Sequence, residues 1–241
     1  MSDIYWLEQR EADVPVENDW LGATEVYRLE DMRFAKRRSD WRLGRWTAKR
    51  ALALCLNLPQ DDRSLSEIEI RASRTGAPEV LLKSRPAEIS VSLSHRSGRA
   101  VCAVTSSLVA LGCDVEEVEP RSDAFITDYF AAPEQALVLR SRPADRSWLL
   151  ALLWSAKESA LKALHAGLRL DTRSVVVTPV DGSPNSEYWY PLEVRHVDGA
   201  VFYGWWQLAG NFIWTMVCDS PSRPPVRLQA AAFRNEVMRC A

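Results

Sequence analysis

Apolar and polar positions alternate with a period of two in several short runs, and with the helical period in two long ones. The period-two runs predict strands at 67–71, 89–93 and 99–105 around a helix at 34–56. The pattern then repeats: a strand at 108–116, a helix at 146–166, and strands at 175–178, 192–196, 200–208 and 212–219. Ser106-Ser107 is the natural joint, which gives an N-terminal half of 1–106 and a C-terminal half of 107–241. One long helix on a small, mainly antiparallel sheet in each half is an α+β arrangement. Residues 220–225 are proline-rich and begin a tail. Trp189, Trp205, Trp206 and Trp214 read as core or sheet packing, with contact to a partner as the lesser reading.

Two segments carry chemistry. The first is Gly112-Cys113-Asp114-Val115-Glu116. Side chains alternate along a strand, so Val109, Leu111, Cys113 and Val115 share one face and Ala110, Gly112, Asp114 and Glu116 the other. The apolar set is expected to bury on a core, the two carboxylates to project from the opposite face, and Gly112 to leave room for a close approach to the backbone. The second is Trp154-Ser155-Ala156-Lys157-Glu158-Ser159-Ala160-Leu161-Lys162. It lies in a helix that Asp145 or Ser147 is placed to cap and Gly167 to stop. Leu150, Leu153, Trp154, Leu161 and Leu164 recur at helical spacing, and Glu158 and Lys162, four apart, are neighbours near that stripe. Taken singly, each feature also has a plain reading. An Asp-x-Glu at a strand end is commonly a solvated turn, and a Glu–Lys pair commonly a surface ion pair of a few tenths of a kcal/mol.

The formal net charge of −2 conceals a basic block. Arg33, Lys36, Arg37, Arg38, Arg42, Arg45, Lys49 and Arg50 face a single acid, Asp40, and Arg38, Arg42, Arg45 and Lys49 share a helix face. A solvated face and an anion site both account for it. Nucleic-acid binding fits poorly, because the rest of the chain is slightly acidic and this is the one basic block. No apolar stretch reaches the ~20 residues of a membrane span. Residues 1–20 are acidic and lack the basic-then-apolar pattern of a signal peptide. The expectation is a cytoplasmic protein with no membrane partner. Cys55, Cys102, Cys113, Cys218 and Cys240 are scattered and lack Cys-x-x-Cys pairs, which argues against a disulfide framework or a zinc site.

The two acidic segments together resemble the signature of the 4′-phosphopantetheinyl transferases: Gly-(Ile/Val)-Asp-(Ile/Val)-Glu, then Trp-(Ser/Thr)-x-Lys-Glu-(Ser/Ala)-x-x-Lys about forty residues on. The second motif matches throughout; the first departs only at Cys113. Ser94-His95 resembles the family's Ser-His stretch, Gly44-Arg45 its Gly-Arg helix, and Tyr129-Phe130 with Pro133-Glu134 its Phe-x-x-x-Glu stretch. The resemblance runs from about Lys36 to about Val177.

It implies two similar halves related by a pseudo-twofold, as in the longer, monomeric, surfactin-synthetase-activating type. It also implies holo-[acyl-carrier-protein] synthase activity: transfer of 4′-phosphopantetheine from coenzyme A, the cosubstrate, to a serine of an apo acyl or peptidyl carrier protein. The implied metal ligands are Asp114, Glu116 and Glu158, holding Mg²⁺, with Mn²⁺ the other candidate. Glu158, Lys162 and His95 are the implied catalytic residues, with Glu158 or a water it orients as base. Lys36, Arg45, Ser94, His95, Glu158 and Lys162 are the implied coenzyme A contacts. Arg74, Gly76 and Pro78 are further implied coenzyme A contacts, at the place of the family's Gly-(Lys/Arg)-Pro loop against which the adenine would lie; Ala77 replaces the usual cation there, and Arg74 is the candidate substitute. The family often has a second serine where this chain has Arg96. Two other readings stay open: a binding homologue that transfers nothing, and a metal-dependent phosphohydrolase.

Overall fold

The structure is a computed structural model that describes residues 3–166, 169–179 and 188–229. Contacts divide it into two units: Ile4–Leu108 with the strand Val226–Arg227, and Val109–Pro225. Each is α+β, as the hydrophobic periodicity predicts.

In the first unit, strands β1 (Tyr5–Arg10), β5 (Ser90–Arg96), β6 (Arg99–Thr105) and β12 (Val226–Arg227) form a sheet in the order β12-β1-β6-β5. All neighbours are antiparallel except β12, which runs parallel to β1. Helix α2 (Ala35–Cys55) packs on this sheet through Trp46, Ala48, Ala51 and Leu52 against Val91, Cys102 and Val104. Helices α1 (Ala23–Glu30) and α3 (Asp62–Ser66) and a smaller sheet of β2 (Ile68–Ala72), β3 (Pro78–Leu82) and β4 (Arg85–Pro86) complete it. β1 and β12 were not anticipated. Val226–Arg227 lies in the segment assigned from sequence to the second half, yet its backbone pairs with β1, and Leu228 is buried in the first unit's core.

In the second unit, β7 (Leu111–Glu117), β8 (Val175–Pro179), β9 (Tyr190–His196), β10 (Val201–Ala209) and β11 (Phe212–Cys218) form an antiparallel sheet in the order β7-β11-β10-β9-β8. Helix α6 (Arg146–Ala163) lies on it, with α4 (Asp123–Tyr129) and α5 (Ala132–Arg140) alongside. Asp145 is the N-cap of α6, but its carboxylate accepts from Arg142 and Trp148 rather than from the helix backbone. Gly167, the expected stop, lies outside the described residues. Trp206 and Trp214 are buried, and Trp206 stacks on Trp148 with centroids 5.8 Å apart. Four cysteines are free thiols, and burial pushes Cys55 up to about 11; Cys240 lies outside the described residues.

Both units hold their long helix by the same buried device. In the first, Lys49 of α2 is fully buried, its ammonium 2.5 Å from Glu25 and donating to the carbonyls of Trp20 and Leu65. Glu25, at the third position of α1, accepts from Gly22 N–H and Ile70 N–H. In the second, Lys157 of α6 is fully buried, 2.7 Å from Glu134, and donates to the carbonyls of Thr172 and Val175. Glu134, at the third position of α5, accepts from Ala131 N–H and Val177 N–H. Every buried hydrogen-bonding group of each pair has a partner, the condition under which a buried ion pair is tolerated.

Candidate functional site

β7 is buried on both faces. The sequence places the core on the face of Cys113 and Val115, but helix α6 packs on the other one, with Gly112, Asp114 and Glu116. Gly112 is what permits it: a Cβ there would stand 1.8 Å from the carbonyl oxygen of Ser159. The close approach expected at Gly112 is therefore made by the helix backbone. Beside it, Thr215, the register partner of Asp114 on β11, meets the hydroxyls of Ser155 and Ser159, each at 2.8 Å, and its carbonyl accepts from Ser159.

Three of the sequence-derived residues come together there. Lys162 donates to Asp114 Oδ1 at 2.8 Å and to the carbonyl of Cys113 at 3.0 Å. Burial is the largest single influence and works against the Lys162 ammonium, but the charge and hydrogen bond of Asp114 together with the charges of Cys113 and Glu158 outweigh it, and its pKa is raised. Glu158, one turn back on α6, is held above the ordinary carboxylate range, first by burial and then by the nearby charge of Asp114, with Lys162 opposing. Two acids and one lysine thus share a half-buried spot, and the second acid gives up its proton late.

Glu116 shares the strand face of Asp114. Its carboxylate lies 3.4 Å from Arg121, which also pairs with Glu119 at 3.0 Å and covers the Phe125 ring at 4.9 Å. Among the described residues no three His, Cys, Asp or Glu side chains are grouped as a metal site. The all-oxygen donor set and the acid excess around Asp114 and Glu158 suit a hard divalent cation in chemistry.

Most of the coenzyme A residues fall in the first unit. Lys36 and His95 line one cleft of about 530 Å³ with Phe34, Arg37, Asp40 and Trp41. Lys36 also pairs with Asp40 at 3.0 Å. Arg45 is not part of that lining; it lies 3.7 Å from Glu25 and over the Trp41 ring, and burial, opposed by Glu25, lowers its pKa. Ser94 is on β5 beside His95. Arg74 and Gly76 sit in the turn between β2 and β3, which Ser73 closes by donating its N–H to Ala77 and accepting from Gly76 N–H; Pro78 begins β3. Gly76 has φ 91°, a conformation other residues rarely adopt. None of these three lines the cleft.

Sequence reasoning did not find the Glu25–Lys49 and Glu134–Lys157 pairs as pairs, nor Arg121. The Glu at the third position of α5, after Pro133 at its start, is the one local signal that existed.

Residues 110–212, a little under half of the chain, match the family model described as the 4′-phosphopantetheinyl transferase superfamily. This stretch holds Asp114, Glu116, Glu158 and Lys162. Among solved structures, the chain is similar to the holo-[acyl-carrier-protein] synthase (AcpS) of Thermotoga maritima, at 20% identity and a TM-score of 0.33. That match covers 46% of this chain and 63% of the other. No curated protein matches.

Proposed function

We propose that the protein transfers 4′-phosphopantetheine from coenzyme A to a serine hydroxyl of an apo acyl or peptidyl carrier protein, as a holo-[acyl-carrier-protein] synthase of the longer, monomeric type. The observation that carries the reading is the Asp114–Glu158–Lys162 cluster within the family-matched stretch. The shared buried Lys–Glu pair in two helix-on-sheet units supports the longer type.

Asp114, Glu158 and, once released from Arg121, Glu116 would hold a divalent cation, Mg²⁺ or Mn²⁺. When bound, that ion offsets the negative charge of the pyrophosphate. Lys162 donates to the phosphates, a role that suits an ammonium kept charged by Asp114. Glu158, with its raised pKa, takes the serine proton directly or through a water. The serine oxygen forms the new bond to the β-phosphorus, the bond from that phosphorus to the bridging oxygen breaks, and adenosine 3′,5′-bisphosphate leaves. His95 and Lys36 supply donors for coenzyme A from their cleft, where Trp41 offers an aromatic wall.

The test is incubation of the full chain with coenzyme A, Mg²⁺ and several apo carriers, followed by intact mass measurement. A metal-dependent gain of one phosphopantetheine, abolished in Glu158→Gln, is the expected result. Coenzyme A binding without any gain would make the chain a binding homologue, and hydrolysed coenzyme A alone a phosphohydrolase.

A further inference from the structure

We infer that Gly112 is a positioning residue whose missing side chain sets the reach of Glu158 and Lys162 toward Asp114; the inference rests on the reading of those three as the reacting cluster.

The reason for a glycine at this point is spatial. Gly112 is not among the glycines with positive φ, so the backbone conformation does not demand one. What demands it is the helix: a Cβ would lie 1.8 Å from Ser159 O, 2.7 Å from Ser159 C and 3.1 Å from Ala163 N. All three are backbone atoms, so no side chain can swing aside to make room; the helix itself must lift.

The points of contact matter. Ser159 and Ala163 are the chain neighbours of Glu158 and Lys162. Lifting α6 at Gly112 therefore lifts both functional side chains together. Lys162 grips the strand at the next two positions, through Cys113 O and Asp114 Oδ1. A helix held farther out loses both grips, since the lysine spans them from a fixed root.

The first unit supplies the contrast. Its helix α2 also lies on a mainly antiparallel sheet and carries the same buried lysine–glutamate pair, yet β1, β5, β6 and β12 contain no glycine. The scaffold holds its helix without the close approach. The approach occurs in the unit that bears the acids, where distance between helix and strand decides whether the cluster forms.

The five lysines make a direct test, because four are controls. Lys83 is exposed, and Lys49 and Lys157 are fully buried. Wild type, Gly112→Ala and Ser159→Ala would be acetylated with limiting acetic anhydride and the sites quantified by mass spectrometry. In Gly112→Ala, Lys162 is expected to label several-fold faster relative to Lys83 while Lys49 and Lys157 stay protected, and transfer to fall on the order of a hundredfold. Ser159→Ala removes the hydroxyl ties to Thr215 but keeps the close approach, and Lys162 is expected to label as in wild type. Unchanged Lys162 labelling in a folded Gly112→Ala overturns the inference. So does a several-fold rise in Ser159→Ala with Lys157 protected, a comparison that holds even if Gly112→Ala fails to fold. A wild type that labels as expected but transfers nothing refutes the proposed function and leaves the spacing role intact.

Discussion

The ammonium of Lys162 and the carboxylate of Asp114, 48 positions apart in sequence, meet at 2.8 Å and join helix α6 to strand β7. Replacing Lys162 by Met removes a hydrogen bond between charged groups. The expected cost is about 1.5–3 kcal/mol, read as a lower urea midpoint with an unchanged slope, together with loss of transfer.

Glu158 is expected to cost the fold stability at neutral pH. Its folded pKa lies above the unfolded value, so the neutral form is the one the fold favours. That contribution is complete below the ordinary carboxylate range and lost as pH rises through the raised value. Glu158→Gln should therefore be more stable than wild type at pH 7 in chelator, and the gain should vanish in acid below the ordinary carboxylate pKa. Melting temperatures across that range decide it; a gain that persists in acid would refute the assignment.

The two buried ion pairs are expected to behave alike. Lys157→Met, which strands Glu134, should cost about 3–5 kcal/mol, and Lys49→Met the same through Glu25. The double change Lys157→Met with Glu134→Gln should recover much of the loss, because no uncompensated charge stays buried. Guanidinium titrations of the singles and the double measure the coupling.

Arg121 competes for Glu116. The pair is partly exposed, and such pairs are worth about 0.2–1 kcal/mol. Arg121→Ala should tighten Mn²⁺ binding by up to about fivefold, as read by electron paramagnetic resonance of free Mn²⁺. Equal affinity in wild type and variant would show that Arg121 does not guard that carboxylate.

His95 and Lys36 share a cleft. His95→Ala and Lys36→Ala should each weaken coenzyme A binding by roughly tenfold, the loss of one charge-assisted hydrogen bond. Titration calorimetry with coenzyme A against dephospho-coenzyme A shows which of the two serves the 3′-phosphate.

The parts of the fold with strong periodicity were legible from sequence. Strand β6 was anticipated to the residue, and α2 and α6 within a few residues at their ends. Short or non-local elements were not. β12 has two residues, too few for a pattern, and it exists because its backbone finds β1. Asp114 with Lys162 was legible as a motif, since strand and helix periods aim both side chains. The face on which the helix would sit was not, because Gly112, Asp114 and Glu116 look polar and open in sequence while Gly112 in fact carries the packing. Nothing in the sequence around Lys49 and Lys157 names Glu25 and Glu134 as their buried partners. Their partners lie in separate elements that only the fold brings near.

The strand Val226–Arg227 has a consequence for how the protein is made. It hydrogen-bonds to β1, with Val226 N–H donating to Ile4 and Leu228 N–H to Trp6, and Leu228 enters the core beneath. All five strands of the second sheet precede it in the chain. On a ribosome the second sheet can therefore be completed while the first still waits for its last strand. Ile4 and Trp6 must keep that edge open until Val226 and Leu228 have been made and can pair with it.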